Sequence, residues 1–313
     1  MRSLQTYSAN RQSILWTFSM HVAVLGNRGS WYCKELQRAA ESRRHWYSRI
    51  DFPNLVAGLG IDRPLLAADE LDLTSVDAVI VRTMPPGSLE QVVFRMDALA
   101  RLEAAGVAVL NSPKSIECAV DKYLTTARLA AAGLTVPATI VCENAETAQE
   151  AFERLGGDVV VKPVFGSEGR GILRVSDPDL ALRTFRTLER IDAVLYLQQF
   201  VEHNGADIRV LILGGRILGA IRRRSEDDFR TNVSRNGRAE PHTLTNEERQ
   251  TALEAAVIVG AQFAGVDLLY DRGGTCYVIE VNAVPGWRAF GKVTNCDVAT
   301  DVIRYLESTR DGG

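Results

Sequence analysis

The sequence predicts an α/β protein built from more than one unit. Three observations carry that reading. Short β-branched apolar runs alternate with longer helical patterns, as strands and crossover helices do. The chain has 313 residues, enough for two or three domains. Hydrophobic residues make up 46% of it and charged residues 24%, the balance of a globular core under a solvated surface.

The elements follow in order. Residues 1–19, MRSLQTYSANRQSILWTFS, show no strand or helix period and no long apolar core. A disordered leader is expected there rather than a secretion signal, with Met20 as an alternative start. The runs HVAVLG (21–26), VDAVIV (76–81) and VAVLN (107–111) read as buried strands, with helices over 31–43 and 88–105 between them. They make an N-terminal α/β domain over 20–111. GNRGSW (26–31) follows the first strand but is not G-x-G-x-x-G, which argues against a dehydrogenase.

In NSPKSIECAVDK (111–122), Ser112 is placed to cap a helix and Pro113 to open it. A second α/β unit over 112–201 starts there. Its expected elements are a helix at 121–132, a strand at 138–142, a helix at 145–155 and a strand at 158–164. A glycine loop, a short strand, a helix at 178–190 and a strand at 193–201 complete it. A third unit, 202–313, has strands at 207–213 and 216–224, then an arginine-rich loop over 225–243. A helix over 245–263 follows, with Thr245 and Glu248 spaced as a capping box. Strands at 266–271 and 275–282 and a last helix near 296–307 close the chain.

Bulk properties exclude several classes. A net charge of −3 and a pI near 5.9 argue against general nucleic-acid binding. No apolar run is long enough to span a membrane. The five cysteines are odd in number and never spaced C-x-x-C, which suits reduced thiols in a cytoplasmic protein. Four scattered histidines give little basis for a zinc site.

VVVKPVFGSEGRGILRV (159–175) is the strongest local signal. Lys162 sits in a β-branched strand, and Gly166, Gly169 and Gly171 follow. Glycines let backbone N–H groups approach phosphate oxygens, and a lysine from the preceding strand neutralises their charge. The Walker pattern is not met, so this is not a P-loop. A plain glycine hairpin is the alternative. Lys122, in AVDKYLT, read alone is a solvated helix lysine.

GVDLLYDRGGTCYVIEVN holds the second signal. DRGG (271–274) is a turn between two apolar runs. If Arg272 and Gly273 form a two-residue loop, Asp267 opposes Val278, and Asp267, Glu280 and Asn282 share one face. A loop one residue different would put Asp267 on the other face. Two carboxylates and a carboxamide suit a hard cation such as magnesium, shared with substrate phosphates. A solvated polar edge is the alternative.

AIRRRSEDDFRTNVSRNGR (220–238) concentrates Arg222, Arg223, Arg224, Arg230, Arg235 and Arg238 in an otherwise acidic chain. Planar guanidinium groups suit phosphates and carboxylates; pairing with Glu226, Asp227 and Asp228 in a solvated loop is the alternative. VRTMPPGSLEQVVFRMDAL (81–99) begins at the carboxyl end of a strand, where ligands bind in open α/β sheets. Arg82, Ser88, Gln91 and Arg95 are candidates for acceptor binding there. A helix cap at Ser88 with a solvated helix face is the competing reading.

Together these segments resemble the ATP-grasp superfamily, and within it the RimK-like α-L-glutamate ligases. VDKYLT (120–125), VVVKPVFGSEGRGI (159–172), LQQFVEHNGADIRVLILGGRILGAIRRR (197–224), DFRTNVSRNG (228–237), AGVDLLYD (264–271) and VIEVNAVPG (278–286) carry the resemblance, in family order. It implies an ATP-grasp fold with an N-terminal Rossmann-like pre-ATP-grasp domain and two subdomains that hold ATP between antiparallel sheets. It implies ATP contacts at Lys122, Lys162, Gln198, Gln199, Phe200, Val201 and Asp207. Gly166, Ser167, Gly169 and Gly171 match the phosphate lid. Arg230 and Asn232 match phosphate-side contacts, and Arg223 a group that stabilises an acyl phosphate. Asp267, Glu280 and Asn282 match the ligands of magnesium, with manganese as the alternative ion. Gln199 departs from the glutamate that relatives often carry, and its carboxamide still accepts a hydrogen bond.

The implied reaction activates an acceptor carboxylate with ATP and joins it to the amine of L-glutamate. The stretch from residue 81 is similar to archaeal-type ligases that add glutamate to tetrahydromethanopterin. The expected acceptor is therefore a pterin- or furan-type one-carbon carrier. A protein C-terminus or small peptide, a kinase without ligation, and a non-catalytic nucleotide-binding regulator are the alternatives. No nucleic-acid or membrane partner is expected, and a homo-oligomer is left open.

Overall fold

The computed structural model describes residues 20–61, 65–166, 171–225 and 238–311. The leader therefore lies outside the described residues. The N-terminal part runs β1 (His21–Leu25), α1 (Trp31–Ser42), β2 (Trp46–Ile50), β3 (Leu55–Gly58), β4 (Leu65–Ala68), β5 (Leu71–Asp72), β6 (Ala78–Val81), α2 (Leu89–Ala104) and β7 (Ala108–Leu110). A parallel sheet has the order β2-β1-β6-β7, and β3-β4-β5 form a small antiparallel sheet. β6 is buried along its whole length, and only His21 of β1 is not, because both sheet faces are covered. The chain leaves β1 for β2 on one side and later returns to pair β6 on the other. The strand order thus reverses between β1 and β6, a topological switch point.

The central part runs α3 (Pro113–Val120), α4 (Lys122–Ala131), β8 (Thr139–Cys142), α5 (Ala145–Arg154), β9 (Val159–Lys162), β10 (Leu173–Val175), α6 (Pro178–Glu189) and β11 (Leu195–Gln199). Ser112 caps α3 by accepting from Ser115 N at 3.2 Å, with Pro113 in the first turn as expected. Asp121 caps α4 by accepting from Leu124 N at 2.9 Å. The antiparallel sheet β10-β9-β11-β8 has its own core, where Phe152 of α5 meets Phe185 of α6 edge to face at 6.4 Å.

The last part runs β12 (Ala206–Leu213), β13 (Arg216–Arg224), β14 (Arg238–Pro241), α7 (Asn246–Val259), β15 (Phe263–Tyr270), β16 (Cys276–Asn282), α8 (Arg288–Thr294) and α9 (Val298–Asp311). Its antiparallel sheet has the order β14-β13-β12-β15-β16. Gly214 and Gly215, at φ +56° and +71°, turn β12 into β13. Positive φ at both centres is the type I′ requirement. Thr245 and Glu248 form the expected reciprocal capping box. The helix stops earlier than the sequence reading places it. Gly260 takes a left-handed cap at φ +77°, which frees residues from Phe263 onward for β15. Part of the expected arginine-rich loop is also strand, because β14 pairs the edge of β13.

The parallel sheet and the last sheet share cores. Ala23 and Val79 cluster with Ile208, Val266 and Val281 beneath α7. Val22, Val24 and Ile80 cluster with Leu211, Phe263 and Trp287 against α9. Asn111, 1% exposed, pins this junction. Its amide nitrogen donates to Phe263 O at 2.7 Å and to Ala283 O, and its Oδ1 accepts from Phe263 N at 2.8 Å.

Candidate active site

The β15–β16 hairpin differs from the sequence reading in two places. The last ladder pair is Tyr270 with Cys276, so residues 271–275 form the turn and the register moves by one. That shift alone would turn Asp267 away from Glu280. A β-bulge between Asp267 and Leu268 moves the register by one more. Asp267 therefore opposes Glu280 rather than Val278, and Gly265 opposes Asn282. Asp267, Glu280 and Asn282 share a face, through two changes that cancel in parity.

Asp267 is 4% exposed and held by two arginines. Arg209 binds it through two nitrogens, Nε to Oδ1 at 2.7 Å and Nη2 to Oδ2 at 2.6 Å. Arg223 Nη2 reaches Oδ2 at 3.0 Å and also binds Asp207 in a fork. Burial alone would raise the Asp267 pKa, but Arg209 and Arg223 hold it below the usual carboxylate range. Burial likewise opposes the charge of Arg223, and Asp267 and Asp207 outweigh it, raising its pKa. Arg209 escaped the sequence reading. Its signal was the period-2 spacing of Asp207 and Arg209 along β12, which puts both on one face.

The two lysines come from the central part. Lys162 ends β9, and its Nζ donates to Gln198 Oε1 at 2.6 Å. Gln198 is buried, and its Nε2 donates to Thr139 Oγ1 at 3.0 Å and to the Tyr196 hydroxyl at 3.2 Å. Tyr196 meets Thr126 Oγ1 on α4 at 2.9 Å, so the ammonium group is aimed by a fixed polar chain. Burial pushes the Lys162 pKa down to about 8; Glu280 and Asp267 pull it up and Lys122 pulls it down. Lys122 opens α4, and its Nζ donates to Gly166 O at 2.8 Å. Burial lowers its pKa too, against the charges of Glu280 and Asp121. The charge of Glu280 thus acts on both lysines.

The connection out of β11 is fixed by backbone hydrogen bonds. Gln199 N donates to Ala138 O at 2.8 Å and Phe200 N to Asp158 O at 3.0 Å. Arg174, bound to Asp158, lies 3.5 Å from the Phe200 ring centroid. The Gln199 side chain is exposed, and Val201 follows at the start of the connection. Gly166 and Gly171 flank the rest of the glycine loop; Ser167 and Gly169 lie outside the described residues, as do Arg230 and Asn232.

The four acceptor candidates have different surroundings. Ser88 and Gln91 form a reciprocal capping box at the start of α2. Arg95 Nη1 donates to Pro85 O at 2.7 Å, which ties down the 83–88 loop. Arg82 is 6% exposed and lies against Tyr32 and Trp287.

The donor set suits a hard cation. Asp267 uses three of roughly four lone-pair positions on arginine donors, leaving one. Asn282, whose Nδ2 is buried without a hydrogen-bond partner, carries one amide oxygen that a cation can take, and Glu280 is half-buried two residues before it. Among the described residues no group of three or more histidine, cysteine or acidic side chains is placed to hold a metal ion by itself.

Lys162 at the end of β9 and Lys122 at the start of α4 thus lie within the charge of a carboxylate on the last sheet, an arrangement that suits a polyphosphate ligand. Comparison with known proteins gives the class, a ligase of the ATP-grasp fold. Residues 119–306 match the RimK-like ATP-grasp domain and residues 20–116 the RimK pre-ATP-grasp domain. The chain belongs to the RimK-like ATP-grasp family, whose members are ATP-dependent ligases. A tetrahydromethanopterin:α-L-glutamate ligase of Methanosarcina acetivorans is 35% identical over 78% of this chain and 84% of its own length. A ribosomal protein bS6–L-glutamate ligase of Escherichia coli is 31% identical over 92% of this chain and 96% of its own. Among solved structures, the ATP-grasp ligase PsnB with its minimal precursor superposes at a TM-score of 0.73, with 23% identity, over 92% of this chain and 98% of that one. A RimK domain protein of Sphaerobacter thermophilus gives 0.69, with 20% identity, over 91% and 98%. These last two likenesses carry the fold.

No helix among the described residues is long and apolar enough to cross a membrane. All five cysteines are free thiols.

Proposed function

We propose that this protein joins the amine of L-glutamate to a carboxylate on an acceptor, using ATP and releasing ADP and phosphate. The observation that supports it most is the charge of Glu280 acting on both Lys122 and Lys162. A cationic pair within the field of an acidic face is what a metal-bound polyphosphate requires.

The residues divide the work. Lys122 and Lys162 neutralise phosphate charge, and Gln198 aims Lys162. Asp207 and the connection from Gln198 to Val201 hold the nucleoside end. Ser167 and the loop glycines cover the phosphates. Glu280, Asn282 and the remaining lone pair of Asp267 would hold magnesium, or manganese. When bound, that ion neutralises charge on the transferring phosphoryl group. Arg223, with Arg230 and Asn232, stabilises the acyl phosphate formed on the acceptor. The glutamate amine then attacks the acyl carbon, the carbon–oxygen bond to phosphate breaks, and an amide forms. No side-chain nucleophile takes part; the protein supplies position and fixed charge.

The acceptor we favour is a pterin- or furan-type one-carbon carrier, supported by the 35% identity to the tetrahydromethanopterin ligase. A peptide or protein terminus is the second reading, supported by the bS6 ligase relative, which matches more of the chain. Incubation with ATP, L-glutamate and a panel of both acceptor kinds, read by mass spectrometry, tests the proposal. The expected product is one acceptor carrying an added glutamyl group. A phosphorylated acceptor that remains the end product even with glutamate present, with no glutamyl adduct formed, would refute ligation.

A further inference from the structure

Arg82 is a buried cation without an anion. Its Nη2 donates to Pro285 O at 3.0 Å. Its Nε and Nη1 are buried and have no hydrogen-bond partner among the described residues. The guanidinium carbon lies 4.3 Å from the Trp287 ring centroid and 4.8 Å from that of Tyr32. Burial lowers its pKa to about 10. Cation–π contact recovers on the order of 2 kcal/mol when desolvated. It leaves Nε–H and both Nη1–H groups unsatisfied, and Nη1 together with the second N–H of Nη2 makes the two-pronged edge that a carboxylate binds. Buried donors without partners are rare in folded proteins, and an uncompensated buried charge costs several kcal/mol.

The position of Arg82 is as informative as its chemistry. It directly follows β6, and its N–H donates to Leu25 O at 2.8 Å, at the end of β1. It therefore stands at the switch point of the parallel sheet, the general ligand crevice of open α/β sheets. Across from it is the segment after β16, the strand that carries Glu280 and Asn282. Packing around Arg82 is close at two glycines. A Cβ on Gly26 would meet Cys33 Sγ at 2.6 Å and Arg82 Cβ at 3.3 Å; one on Gly286 would meet the Tyr32 hydroxyl at 2.8 Å.

We propose that Arg82 anchors a substrate carboxylate through Nη1 and the second N–H of Nη2, at the junction of the β1/β6 switch point and the segment following β16. This rests on the ligase reading, in which both the incoming glutamate and the acceptor carry carboxylates. Ser88, Gln91 and Arg95 support the site indirectly, by capping α2 and holding the adjoining loop.

Calorimetric titration of the full chain, saturated with Mg-ADP, tests this with two probes. L-glutamate represents the incoming amine substrate. N-acetyl-L-glutamate, its amine blocked, represents an acceptor carboxylate. The wild type is expected to bind at least one. Arg82→Lys keeps the charge and loses the fork, and should weaken that probe at least roughly tenfold. Arg82→Met should abolish its binding. In both variants Mg-ADP affinity stays near wild type and the melting temperature does not fall, and in turnover the KM for the same substrate rises while that for ATP does not. The probe affected names the source of the carboxylate. Unchanged binding of both probes in both variants, or no binding by the wild type, overturns the proposal. So does a collapse of melting temperature in both variants, which would make Arg82 a structural clasp. Absence of ATP turnover with every acceptor would refute the ligase reading separately, because the titrations require no turnover.

Discussion

Lys162 shows how a single residue is tuned by where its strand ends. Burial lowers its pKa to about 8, while an unfolded chain keeps the ordinary lysine value. Between those values the unfolded state binds more protons, so this residue's unfavourable contribution to stability is relieved as pH rises through the window. Nucleotide binding has the opposite requirement. A bound phosphate favours the ammonium form and raises its pKa. Binding of Mg-ATP should therefore take up a proton above about pH 8, and affinity should fall as pH rises there. Titration calorimetry in buffers of different ionisation enthalpy measures the uptake. Lys162→Met should remove it; equal uptake in that variant would assign it to another group.

The same scale shows what a sequence can reveal about a site. Lys162 was legible from its β-branched strand and the glycines after it. Arg209 was not singled out, because its role depends on which strand lies beside β12. Only the pairing of Arg209 with Asp267 turns an ordinary strand arginine into half of a clamp. Arg82 was legible as a ligand candidate by its place after a strand, but its orphaned N–H groups emerge only from packing.

At the scale of elements, turn chemistry decides what can be read. The β12–β13 hairpin follows from Gly-Gly, and its strand ends lie where the sequence puts them. The β15–β16 hairpin does not, since a longer turn and a bulge offset one another. β2 reads poorly because WYSRI has one buried residue and sits at a sheet edge. β14 reads poorly because an edge strand of Arg-Ala-Glu-Pro has no apolar period. The glycine turn gives a graded prediction. Gly215→Ala meets no atom within 4 Å and should cost only the left-handed backbone term, about 1–2 kcal/mol. Gly214→Ala adds a clash with the Tyr305 ring, 2.5 Å from the new Cβ, and should cost a further ~1–3 kcal/mol. Denaturant unfolding of the pair checks this, and equal losses would contradict the packing at Tyr305.

For the whole molecule, the cores define what moves together. The parallel sheet and the last sheet share apolar clusters, whereas the central sheet is packed on itself. Phe185→Ala should destabilise the central unit by about 3–5 kcal/mol. Hydrogen exchange should then accelerate in β9 and β11 and leave β1 and β12 protected. Uniform acceleration would mean one cooperative unit. Motif order separates the lysines of the central part from the carboxylates of the last part. It could not foretell how tightly the N-terminal sheet is fused to the last one, because that contact joins residues far apart in sequence.

The central claim is that the acidic face of the last sheet and the two lysines enclose a metal-bound nucleotide. Glu280→Gln tests it most directly, since the change keeps shape and removes one charge. The account predicts ADP formation in the presence of L-glutamate and acceptor to fall at least roughly 10²-fold, with an unchanged melting temperature. ADP formation at the wild-type rate in the folded variant would contradict it.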